Sequence, residues 1–130
     1  MIRYYFRQLG KSERGATLIE FALIALLLFT ILFGIIEFGW IFNGYITLTS
    51  AAQEGARMAI VGEDDQDIRE AIYSHARIFD EDNLQIGIFP GATHNDDAEV
   101  TLDGELDLLI SFPPFPQSIS LSTSATMKQE

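Results

Sequence analysis

The chain has 130 residues, of which 48% are hydrophobic, and 19 acidic against 8 basic residues give it a formal net charge of −11. This length accommodates one membrane segment and one small domain, and it excludes a multidomain enzyme. The acidic balance argues against a nucleic-acid partner, because it repels phosphate groups. Since the chain has no cysteine, disulfides, thiol catalysis and thiolate metal sites are excluded.

Charge is distributed unevenly along the chain. Residues 1–15 carry a net charge of +3, so the remainder carries −14. Arg57 is the only basic residue among the 18 that follow Phe42. By the positive-inside rule, the N-terminus is predicted to be cytoplasmic and the acidic part to lie across the membrane. The residues that set this topology are Arg3, Arg7, Lys11 and Arg14.

A long apolar run follows the basic residues. Residues 16–42 predict a transmembrane helix of roughly 40 Å, which exceeds the ~30 Å hydrocarbon layer, and Trp40 is typical of a membrane interface. Glu20 is unusual, because a carboxylate near the bilayer core costs roughly 2.5 to 3.5 kcal/mol and needs a compensating role. The alternative is a secretory signal cleaved near residues 50–52. A signal of that kind usually has an apolar region of about 7 to 15 residues without carboxylates, which this run does not match.

The helix is predicted to continue beyond the membrane. Apolar and small residues recur every three or four positions, which indicates one apolar stripe on an amphipathic helix. Gly62 provides a C-terminal stop, so one helix is expected over residues 17–61. The spacing of five between Gly34, Gly39 and Gly44 places them on different faces, so they form no GxxxG motif. The stripe consists of Ile41, Tyr45, Leu48, Ala52, Ala56 and Ala59.

The rest of the chain predicts a second helix and three strands. Residues 66–80 have helical periodicity and the capping-box pattern Asp67-Ile68-Arg69-Glu70. Gly104 is a candidate bend, bulge or hairpin turn. Strict alternation predicts an antiparallel sheet with one solvated face, and its other face is expected to cover the distal half of the long helix. The predicted fold class is therefore α+β, with strands near residues 84–88, 98–112 and 119–127.

Residues that commonly carry chemistry are few. His75 is predicted to pack on or beside the apolar face of the second helix, and His94 to be solvated in a loop. The acidic cluster at residues 80–83 is expected to end the second helix. It fails the EF-hand calcium pattern, which leaves a weaker cation site open at Asp96, Asp97 or Glu99. No nucleophile elbow, P-loop, dinucleotide or zincin motif occurs. We therefore expect no enzyme activity, no catalytic residue, no metal, no cofactor and no small-molecule substrate.

A basic leader that ends in glycine is followed by four residues, a glutamate, an aromatic residue and a long apolar helix. This order resembles the signal of type IV prepilins. The fuller pattern is similar to TadE-like pseudopilins of the tight adherence (Flp) pilus system. It comprises Arg14-Gly15-Ala16-Thr17-Leu18-Ile19-Glu20-Phe21, Phe33-Gly34-Ile35-Ile36-Glu37-Phe38-Gly39, Ala51-Ala52-Gln53-Glu54-Gly55-Ala56-Arg57 and Leu121-Ser122-Thr123-Ser124-Ala125-Thr126-Met127.

The resemblance implies that a prepilin peptidase cleaves between Gly15 and Ala16 on the cytoplasmic side, and that Glu20 and Phe21 act in processing and assembly. Cleavage would free an amine at Ala16, one helical turn from Glu20. An ion pair of this amine or a neighbouring subunit's amine with Glu20 would relieve the insertion cost of both charges. Glu37 also matches a family position, and at roughly 24 to 26 Å along the helix from Glu20 it is predicted to reach the outer headgroups.

The predicted organisation is a basic prepilin leader at 1–15, a transmembrane helix at 16–42 and an extracytoplasmic pilin-like domain at 43–130. The predicted function is that of a minor pseudopilin in assembly or function of an adhesive pilus for surface attachment and biofilm formation. It would lie in the bacterial inner membrane with a periplasmic C-terminal domain, or associate with the pilus. Its expected partners are prepilin peptidase, other pilin or pseudopilin subunits, the assembly machinery and membrane lipid. The alternative is an uncleaved single-pass signal-anchor protein that presents an acidic binding domain.

Overall fold

A computed structural model describes residues 13–90, 97–111 and 116–128 of the chain, with side chains from Gly15 onward. The chain divides into two compact units, Met1–Ile36 and Glu37–Glu130. The fold class is α+β, as predicted, with a long helix α1, a short helix α2 and a three-stranded antiparallel sheet. Of the sequence-based predictions, those on Arg3, Arg7, Lys11, His94 and Asp96 lie outside the described residues.

Helix α1 spans Glu13–Val61 without a break, which confirms that the apolar helix continues into an amphipathic one. Its end is stabilised as the sequence predicts. The amide of Gly62 donates to the Ala59 carbonyl, and the amide of Glu63 donates to the Met58 carbonyl, both at 3.2 Å. Gly62 has a φ of 85°, a conformation that glycine adopts at little cost. These two bonds form a Schellman motif, which supplies donors to carbonyls that would otherwise have none at the helix end.

Helix α2 spans Asp65–His75, so the prediction of a helix over 66–80 is wrong at its C-terminal end. The backbone leaves the helical conformation at Ala76, and Phe79 is buried from a turn instead of a helix face. The predicted capping box is also wrong, because Asp64 is the N-cap and Asp67 lies inside the first turn. The acidic cluster does not end the helix. It forms a short 3₁₀ turn, Glu81–Asn83, before the first strand.

The sheet consists of β1 (Leu84–Phe89), β2 (Ala98–Asp107) and β3 (Ser118–Met127), in the order β1-β2-β3 with both pairings antiparallel. The alternation in β2 is as predicted, since Val100, Leu102 and Leu106 are buried and their neighbours face solvent or are partly exposed. The strand is shorter than predicted and ends at Asp107. The amides of Leu108, Leu109 and Ile110 bond outside the strand ladder, as described below.

Gly104 is neither a bulge nor a hairpin turn, because the strand ladder runs through it and pairs it with Leu84 and Leu121. A Cβ atom at this position would lie 2.7 Å from Cδ1 of Phe79. That distance is far below van der Waals contact, so only glycine lets the Phe79 ring pack against the sheet. Gly104 thus keeps its place in the inward-facing series of β2, and the Phe79 ring fills the space that a side chain would occupy.

The core of the second unit forms between α1, α2 and the sheet. On α1 it is built mainly from small residues, and from Gly15 onward Leu48 is the one large fully buried side chain of this helix. The predicted stripe is wrong at Tyr45, which is 46% exposed. Gly44 faces the sheet instead, and a Cβ there would lie 2.6 Å from a methyl group of Leu106. The buried α1 residues are Gly44, Leu48, Ala51, Ala52, Gly55, Ala56 and Ala59.

Candidate functional site

The predicted cleavage position lies at the start of α1. Gly15 is partly exposed and Ala16 is exposed, and both lie within the helical segment Glu13–Val61. The bond between them is therefore not buried in the part of the chain that the structure describes.

Glu20 and Phe21 lie one turn further along the helix, and both side chains are exposed. Residues four apart share a face of a helix, so the carboxylate of Glu20 projects from the same side as Ala16. This spacing is the one that a contact between a new Ala16 amine and Glu20 requires. The basic residue Arg14 precedes the pair in the sequence, within the helical segment.

The first unit presents apolar side chains that no described part of the unit covers. Phe21, Leu26 and Ile35 are 69%, 66% and 65% exposed, and the other large apolar side chains of residues 18–36 are exposed as well. Among the described residues one helix, α1, is long and apolar enough to cross a membrane, judged by its length and composition. Apolar area of this extent is costly in water, so the segment fits a membrane anchor.

The second unit begins with a carboxylate that holds a distant loop. Glu37 accepts a hydrogen bond from the Leu109 amide at Oε1 and another from the Ile110 amide at Oε2, each at 3.0 Å. The preceding amide, on Leu108, donates to the carbonyl of Gln117 at 2.9 Å. Three successive amides after β2 therefore have acceptors, and two of them share one side chain.

Trp40 makes a second contact to the same region. Its indole Nε1 donates to the carbonyl of Asp107 at 2.9 Å, next to the residues that Glu37 holds. Glu37 and Trp40 are three residues apart and therefore lie on one face of α1. We call this pair of contacts the Glu37–Trp40 clasp. The sequence predicts interfacial positions for both side chains, and the structure gives each a partner within the protein.

Sequence reasoning missed the clasp for a physical reason. Its acceptors and donors on the far side are backbone groups, which every residue carries, so positions 107–110 have no distinctive side chains for this role. The residues that could have predicted the clasp lie on α1. A carboxylate and an indole one turn apart within an apolar run both need polar partners, which predicts that something approaches that face.

The remaining candidate residues do not converge on a site. His75 is exposed, with Nδ1 2.9 Å from the Ala71 carbonyl, so the prediction of a packed histidine is wrong. Asp97 is exposed and Glu99 is partly exposed on β2. Within the parts of the chain that the structure describes, no group of three or more His, Asp or Glu side chains is placed to hold a metal ion.

The comparison with protein families identifies most of the α1 sequence. Residues 15–57 match the family model of TadE-like proteins. These residues are a TadE-like segment. The match covers about a third of the chain and is consistent with a TadE-like protein of the tight adherence (Flp) pilus system. No curated protein and no solved structure matches the chain significantly.

The TadE-like segment begins at Gly15 and lies entirely within α1, so α2 and the sheet are outside it. The last part of this segment, residues 51–57, has a structural role in the second unit. Its alanine and glycine residues face inward, and a Cβ on Gly55 would lie 2.8 Å from Ile72 and 3.4 Å from Val100. Glu54 and Arg57 form a 3.2 Å ion pair on the outer side. The end of the TadE-like segment is thus the surface on which α2 and the sheet pack.

Proposed function

We propose that the protein is a minor pseudopilin of a tight adherence (Flp) pilus, cleaved by a prepilin peptidase between Gly15 and Ala16. The observation that carries this proposal is the TadE-like match, which starts at Gly15 and continues through Glu20 and Glu37. The exposure of Ala16 and the partial exposure of Gly15 support it, because a peptidase must reach the bond between them.

The proposed role of Glu20 follows from its place beside the new N-terminus. Cleavage converts the Ala16 nitrogen from an amide into an ammonium group, and the i, i+4 spacing puts it on the face of Glu20. In the low dielectric of a membrane the two charges attract strongly and offset each other's cost. An amine of a neighbouring subunit would serve equally, which makes Glu20 an assembly residue as well as part of the processing site, with Phe21 beside it.

The proposed location is the bacterial inner membrane, with a cytoplasmic N-terminus and a periplasmic C-terminal domain. The basic residues before α1 and the exposed apolar surface of its first part support this topology. The proposed partners are prepilin peptidase, other pilus subunits, the assembly machinery and membrane lipid. We propose a structural role without catalysis, in the assembly or function of a pilus that attaches cells to surfaces.

The test is co-expression of the full chain with a prepilin peptidase, followed by N-terminal sequencing of the product. We expect a product that is shorter by the 15-residue leader and begins at Ala16. Replacing Gly15 by Leu should abolish cleavage, because it adds a branched side chain directly before the proposed scissile bond, where the peptidase must contact the chain.

Gly34→Leu is the matched control, since it makes the same change in α1 where a Cβ has no neighbour within 4 Å. This variant should still be processed. A full-length chain that persists with active peptidase would contradict the proposal and favour the uncleaved signal-anchor protein.

A further inference from the structure

Strand β3 presents an edge that is well suited to pair with another strand. It has ten residues, Ser118–Met127, and bonds to β2 along one side. In residues 13–90, 97–111 and 116–128, no strand pairs with its other side. Proteins usually protect such an edge with charges, proline, a bulge or a short strand. β3 contains no charged residue and no proline, whereas the opposite edge, β1, has only six residues.

The helix surface beside this edge is also uncovered. Thr49 of α1 and Thr123 of β3 lie 3.4 Å apart between their hydroxyl oxygens, so β3 rests along this side of the helix. Beyond that contact an apolar groove of ≈ 380 Å³ continues along α1. Ile46 is 53% exposed within it. The groove is lined by Phe42, Tyr45, Ile46, Thr49, Ser50 and Gln53.

The groove and the edge belong to one interface. The sheet already covers α1 with β2 over Gly44 and β3 over Gly44 and Thr49. Adjacent strands are about 4.8 Å apart, so the next strand beyond β3 would lie over the groove. Its backbone would bond to β3, and every second side chain would point at the exposed apolar residues of α1.

We propose that β3 receives an extended segment of a partner protein as a fourth strand, which covers this groove. The segment would carry apolar side chains at alternate positions and neutral or basic residues between them. Charge on the sheet determines which residues can lie between the apolar ones. Asp103, Glu105 and Asp107 lie on the solvent face of β2, two strand spacings from the incoming strand. At roughly 10 Å this is near one screening length, so acidic residues on the partner would be repelled.

A second copy of the chain fits this surface poorly. Residues 16–130 of each copy carry a net charge of −14, and the sheet has Asp103, Glu105 and Asp107 on the solvent face of β2. Two copies joined at this edge would place two such acidic faces on one sheet, where they would repel each other. The partner is therefore a different polypeptide. The edge and groove themselves do not depend on cleavage at Gly15.

The test uses the full chain in detergent micelles and, as the probe strand, a synthetic peptide as long as β3 that alternates valine or isoleucine with serine. We expect saturable binding that slows hydrogen exchange in β3 at least tenfold and leaves β1 unchanged. Ile46→Lys should weaken binding by about tenfold or more, because it places a charge where the peptide buries apolar groups. Tyr45→Lys is a second variant at an exposed position, and Val61→Lys is the control on an apolar residue outside the groove.

A peptide with lysine at its serine positions should bind more tightly than one with glutamate there. The proposal is overturned if a scrambled peptide of the same composition binds equally well, or if β1 is protected instead of β3. It is also overturned if the free protein forms a dimer through β3. Failure of processing at Gly15 would leave these results unchanged, so the two proposals fail separately.

Discussion

Replacing Glu37 by alanine should release the residues after β2 while leaving the sheet folded. The substitution removes the acceptor of two backbone amides, Leu109 and Ile110, each 3.0 Å from a carboxylate oxygen. A hydrogen bond to a charged group contributes about 1.5 to 3 kcal/mol, and partial exposure of this site favours the lower end per bond. Because water can replace part of the lost contact, we expect a total loss of about 2 kcal/mol.

This loss corresponds to a roughly 30-fold larger population of the open loop. Hydrogen exchange of the Leu109 and Ile110 amides in the full chain measures that population directly. Glu37→Gln retains one acceptor oxygen and should give an intermediate rate, which distinguishes acceptor loss from the loss of side-chain volume. Glu20→Ala, at an exposed carboxylate of the first unit, is the control. Unchanged exchange at both amides in Glu37→Ala would refute the assignment of these bonds.

Three further substitutions test the packing, a hydrogen bond and the backbone conformation of the second unit. Gly104→Val should lower the free energy of unfolding by about 1 to 3 kcal/mol, because its side chain would overlap the Phe79 ring; urea denaturation measures this, and Gly39→Val, where a Cβ meets nothing within 4 Å, should have a much smaller effect. Trp40→Phe removes the indole donor and should cost about 1 kcal/mol in the same assay, and an equal stability would contradict the hydrogen bond. Gly62→Ala places a Cβ at a φ of 85° and should cost about 1 kcal/mol, seen as faster exchange in the last turn of α1; unchanged exchange there would argue against the Schellman motif.

Patterns of side-chain polarity predicted the elements whose faces differ in solvent exposure. The strands were found because a two-residue alternation is forced wherever one sheet face is buried, as at Val100 and Leu102. The recurrence of apolar residues every three or four positions predicts the long helix, and Gly62 predicts its end. These predictions depend only on local spacing, which the sequence contains.

Two of the errors, those at Phe79 and Tyr45, have a common origin in tertiary packing. Apolar residues after His75 continue the helical period, but Phe79 is used in a turn that packs against Gly104. In the helix stripe, the sheet approaches too closely for a ring at that point, so Gly44 faces inward and Tyr45 faces out. Neither outcome can be read from spacing, because each depends on the distance between elements that are far apart in the chain.

The Glu37–Trp40 clasp also fixes the rotational phase of α1 within the second unit. A helix turns by about 100° per residue, so two contacts on one face define which side of the helix meets residues 107–110. Inserting one alanine between Trp40 and Gly44 would turn the clasp about 100° away from its partners while the core below kept its own packing. An alanine inserted before Glu37 would leave this phase intact. The clasp therefore makes the length of this short stretch of helix, and not only its composition, a requirement of the fold.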